Sequence, residues 1–152
     1  MSEEVIKRTV ESLQQEFIEN HTVVDKLLAD LSAARAAYEK NRNTTAYLLL
    51  VSTNETLTIA YKRAGQILKV LIKEGLAAGE TTIFLAAMQA SLEHVESCAY
   101  AAEVTTAYFM GQASDLEAQQ AAIAADAKRK ILQVLHYNLI LEIEEEAAAK
   151  MV

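Results

Sequence analysis

Proline does not occur in this chain of 152 residues, and glycine occurs only four times. Average usage of about 5% Pro and about 7% Gly would supply roughly seven and ten. Sheets and irregular loops draw on these residues for their turns. Their scarcity disfavours a turn-rich β fold and predicts long, uninterrupted helices. Cysteine is confined to Cys98, which excludes an intramolecular disulfide and fits a reducing compartment. Long apolar runs are missing too. The stretch Ala46 to Val51 ends at Ser52-Thr53-Asn54-Glu55, far short of the about 18 apolar residues that cross a bilayer. Positive charge is in deficit, the net charge being −7. That sign disfavours nucleic acid, whose phosphates need a basic face. The basic run Lys128-Arg129-Lys130 wraps around a helix instead of striping it, and reads as solvated surface. The opening Met1-Ser2-Glu3-Glu4 carries no apolar signal segment, so the expected location is the cytoplasm.

What the chain does have is apolar periodicity. It is 52% hydrophobic and 23% charged, a balance that supports a single folded domain with a real core. From about residue 3 to residue 40, apolar positions follow the seam Ile6, Val10, Leu13, Phe17, Asn20, Val24, Leu27, Leu31, Ala34, Tyr38. Steps of four and three alternate without a break, as in coiled-coil packing. A second helix is expected over about 45–74, with Tyr47, Leu50, Asn54, Leu57, Tyr61, Ala64, Leu68 and Leu71 as its seam and Gly75 as a left-handed cap. A third is expected over about 80–110, ended by Gly111, and a fourth over about 114–150. Ser114 followed by Glu117 reads as a capping box for the fourth helix. Short turns between such helices predict an all-α, antiparallel up-down-up-down four-helix bundle. The other arrangement compatible with the pattern is a pair of helical hairpins completed in a dimer.

Three segments carry more apolar surface than a solvated helix needs. They are Ile67 to Ile72, Ile83 to Met88 and Ile131 to Ile143, and the expected topology brings them toward one end. An apolar excess of this kind implies burial against something else. Leu68, Leu71, Ile72, Ile83, Phe84, Leu139, Ile140 and Ile143 are therefore the candidate interface. The expected function is a non-enzymatic structural or interaction protein that forms homo-oligomers or docks a helical partner. The faces lack the Lys/Arg rim of membrane-surface helices.

The alternative is a metal or small ligand held in the bundle core. His21, His94 and His136 stand on three different helices at similar levels, with Asp25 four residues after His21, Cys98 four after His94, and Tyr61 nearby. Imidazole, thiolate and carboxylate so placed are the donor types of zinc and other transition metals. No established motif supports the site. Glu-x-x-His, the ligand pattern of di-iron bundles, does not occur, and neither do C-x-x-C-H or H-E-x-x-H. Cys98 beside His94 could in principle form a nucleophilic pair, yet its alanine-rich surroundings read as core. Asn20 and Asn54, together with Asn138, are expected to fix register at seam positions. The acidic cluster Glu142 to Glu146 opposes the dipole at its helix end and reads as solubilising surface.

Overall fold

A computed structural model describes the backbone of residues 3–151 and the side chains of residues 10–151. The protein is all-helical, with no strand among the described residues. Its elements are α1 (Glu3–Lys40), α2 (Thr44–Ala78), α3 (Thr82–Phe109) and α4 (Asp115–Lys150). Three of the helix starts follow from polar caps. The Asn43 side chain accepts from the Ala46 N–H at 2.8 Å, Thr81 from Phe84 at 3.3 Å, and Ser114 from Glu117 at 3.1 Å. Each removes one of the unpaired donors at a helix N-terminus.

One boundary differs from the sequence expectation. Gly75 lies inside α2, which continues through Leu76-Ala77-Ala78, all good helix formers. Gly79, at φ 74°, is the left-handed residue instead. The Glu80 N–H donates to the Gly75 carbonyl and Gly79 to Leu76, a Schellman closure. The same closure recurs after α3, where Gly111 has φ 75° and Gln112 donates to Ala107.

The expected α1 seam turns away from solvent from Val10 to Tyr38, with Val24, Leu31 and Ala34 buried. Ile6 lies outside the residues whose side chains are described. Along α2 the seam is buried more deeply, because α2 has a neighbour on each side. Leu50, Leu57 and Leu68 on the seam, and Ile67 beside it, are each at most 3% exposed, and fully burying such a side chain contributes roughly 1.5–3 kcal/mol. Contacts between α1 and α2 join Glu16 to Arg63, Asn20 to Ala60 and Tyr38 to Tyr47. Those between α2 and α3 join Tyr47 to Phe109, Asn54 to Ala102, and Gly75 to Leu85. In both sets, partners fall in number on one helix as they rise on the other.

Asn20 and Asn54 both bond across to a neighbouring helix. Asn20 donates to the Ala60 carbonyl at 3.1 Å. Asn54 is 1% exposed and donates to the Ala102 carbonyl at 2.6 Å and the Thr106 hydroxyl at 2.7 Å. These bonds tie axial register to two particular turns, the role expected of a seam asparagine. Asn138 is exposed and is not a seam residue.

The helices form a row. Among the described residues α1 packs on α2, α2 on α3 and α3 on α4, and no Cα of α1 comes within 8 Å of one in α4. The bundle therefore lacks the contact that would close a four-helix square. In α4 only Ala121 and Ala125 are fully buried, with Leu132, Leu135 and Leu139 half-buried on the same side. Among the described residues one ion pair crosses each junction: Glu16 with Arg63, Lys62 with Glu103, and Glu93 with Lys128. All are substantially exposed and small in effect.

Candidate functional site

The middle of the row gathers a polar cluster. His94 and Cys98 stand one turn apart on α3, so their side chains share a face. His94 Nε2 lies 3.3 Å from Cys98 Sγ. The Tyr61 hydroxyl of α2 faces the same thiol. Asp25 of α1 acts on Tyr61 electrostatically, and Arg129 and Asp126 of α4 act on His94. Every helix thus contributes charge or contact to one level of the molecule.

Burial sets the protonation states. It lowers the His94 pKa below the ordinary 6.5, with the Arg129 guanidinium adding to the shift and Asp126 opposing it. It raises the Cys98 thiol above 9.0, although a hydrogen bond with Tyr61 partly offsets this. It raises the Tyr61 phenol strongly, and the nearby Cys98 and Asp25 push in the same direction. Near neutral pH burial keeps all three groups in their uncharged forms, and the thiol and imidazole stay in hydrogen-bonding contact. An activated cysteine needs the reverse, a thiolate stabilised by positive charge. The geometry therefore favours a satisfied polar core over a nucleophilic pair. No buried side-chain nitrogen or oxygen among the described residues lacks a hydrogen-bond partner.

The histidines expected to share a metal are not brought together. His21 is exposed and pairs with Asp25 at 3.8 Å, four residues along its own helix. His136 is exposed on α4. Among the described residues no group of three or more His, Cys, Asp or Glu side chains is placed to hold a metal. Similar axial level did not suffice, because the three side chains point in different directions around their helices.

The candidate interface residues divide. Leu68 and Leu71 are 3% and 8% exposed and belong to the core of the chain itself, because α2 packs against two neighbours and needs apolar surface on more than one side. Ile72, Ile83 and Leu139 are half-buried. Phe84, Ile140 and Ile143 remain exposed.

Two features went unread in the sequence. The first is a groove of about 560 Å³ where the C-terminal end of α1 faces the start of α4, lined by Arg35, Tyr38, Arg42, Tyr47 and Phe109 among others. Arg35 lies over the Phe109 ring and Arg42 over Tyr38, at 5.8 and 5.4 Å from the ring centroids. Its residues come from opposite ends of different helices, so no local pattern announces it. The second is an alignment along α4, in which exposed Leu116 and Ile123 join Val134 and Leu141 of the expected apolar segment. Their spacings of seven, eleven and seven residues place them on one face at about 100° per residue, a signal present in the sequence all along. The basic run beside them is partnered, with Lys128 on Glu93 and with Arg129 and Lys130 on Asp126.

No helix among the described residues is long and apolar enough to cross a membrane. The chain matches no protein-family model, and no curated protein or solved structure is significantly similar to it.

Proposed function

We propose that this protein is a non-enzymatic assembly or docking module, a row of helices alternating in direction that works by joining its edge to another protein surface. One observation carries the reading. The face of α4 turned away from α3 exposes Ile123 at 68% and Val134 at 60%, on the helix that ends the row. Exposed apolar side chains aligned on one helix face mark an interaction site more specifically than scattered residues do.

The test is the solution mass of the full chain. Sedimentation equilibrium should give a species heavier than one chain, dissociating on dilution. Ile123→Asp with Val134→Asp should yield a monomer of unchanged helical content by circular dichroism. A wild-type chain that stays monomeric at high concentration and captures no partner overturns the reading.

A further inference from the structure

We infer that the partner of the α4 face is a second copy of the same chain, with the two α4 helices lying antiparallel about a two-fold axis near residues 128 and 129. The inference rests on the assembly reading above and adds an occupant and a register to it.

The argument starts from symmetry within α4. Leu116 and Leu141 lie equally far from a midpoint between residues 128 and 129, and so do Ile123 and Val134. At about 100° per residue the four sit within roughly 20° of one line, diametrically opposite the side that Ala121, Ala125 and Leu132 turn toward α3. An antiparallel copy centred on that midpoint sets Leu116 against Leu141 of its mate and Ile123 against Val134. Both contacts occur twice, as a two-fold interface requires.

The polar residues flanking the stripe obey the same register. On one edge, Asp126 comes within one residue, about 1.5 Å, of the level of Lys130 of the second copy, and Lys130 of Asp126. Antiparallel helices related by such an axis bring like edges together, so both opposite-charge pairs form at the centre of the interface. Lys130 has a side chain 69% exposed and already lies 3.3 Å from its own Asp126, so the four charges would form one alternating group. On the other edge, Gln120 comes within one residue of the level of Asn138 of the second copy, an amide near an amide. A parallel pair would instead bring Lys130 beside Lys130 near the seam and set the two Asp126 side chains on opposite edges, leaving that repulsion uncompensated. Charge complementarity thus selects both the self-partner and its direction. Pairing from Leu116 to Leu141 spans about 38 Å of helix.

Charge exchange tests the register. Asp126→Lys sets lysine against lysine across the axis, and Lys130→Asp sets aspartate against aspartate. Each variant alone should dimerise roughly tenfold more weakly than the wild type, while an equimolar mixture of the two should regain dimerisation as a heterodimer. A second readout does not depend on the charges. In a Cys98→Ser background, chains carrying Gln120→Cys and chains carrying Asn138→Cys should cross-link under oxidised glutathione only when mixed, because residue 120 lies about 25 Å from its own copy in this register. Wild-type dimers whose charge variants stay equally dimeric, or cysteine chains that cross-link unmixed, overturn the register and leave the assembly reading standing. A wild-type chain that stays monomeric overturns the self-pairing, and the assembly reading falls with it only if the chain also captures no partner.

Discussion

His94 and Cys98 meet the solvent's pH from opposite sides. The unfolded chain protonates His94 near its ordinary 6.5, and the folded protein only at lower pH. Between those limits the unfolded state binds more protons, so stability falls as pH falls below about 6.5. Cys98 does the converse. Its folded pKa lies above 9.0, so the unfolded chain loses that proton first and stability falls as pH rises past this value. Thermal denaturation from pH 5 to 10 should show both slopes; His94→Gln should flatten the acid one and Cys98→Ser the alkaline one. Unchanged slopes in the variants would show that other groups set the response. Part of this site was legible beforehand, because a four-residue step puts His94 and Cys98 on one face and Tyr61 falls at the same level. The influence of Asp126 and Arg129 was not, since it depends on how α4 is rotated against α3. That rotation is set by the side chains on the α4 face that packs on α3.

At the scale of a helix, the glycines separate two kinds of chain geometry. Gly79 lies in the left-handed region and a Cβ there would meet no atom within 4 Å, so the cost of Gly79→Ala is conformational, about 1–2 kcal/mol. Gly65 is buried mid-helix, where a Cβ would sit 3.8 Å from Leu92 Cδ1 in ordinary contact. Gly65→Ala should therefore gain up to about 1 kcal/mol from helix propensity. Melting temperatures of the two variants should move in opposite directions, and a fall in both would mean that the α2–α3 contact at Gly65 is tighter than its geometry implies. The helix limits were mostly readable, because polar caps at Asn43, Thr81 and Ser114 precede apolar runs. The end of α2 was not. Gly75 and Gly79 both carry the residue type a left-handed cap needs, and only the bond from Glu80 to Gly75 decides between them.

For the whole molecule, heptad steps reveal that a helix has an apolar side, but not which neighbour that side will meet. A closed square and an open row use the same seam on α1 and on α2. The discriminating residues were Leu116 and Ile123, which with Val134 and Leu141 give α4 a second apolar side that a closed bundle would not need.

The row has a further consequence for how the molecule comes apart. Because among the described residues close backbone approach is confined to helices adjacent in sequence, with Arg35 over Phe109 a side-chain contact that reaches past α2, losing an end helix leaves the other backbone junctions whole, much as in a linear array of repeats. Opening should begin at the margins. Amide hydrogen exchange followed by mass spectrometry should find the slowest amides in α2 and α3, faster exchange in α1, and the fastest in α4, whose fully buried side chains are only Ala121 and Ala125. Uniform protection across the chain would mean instead that the row melts as one unit. The edge that most needs covering is thus also the edge that frays first, so a surface docked on α4 would act as a clasp, slowing exchange in the very helix it touches.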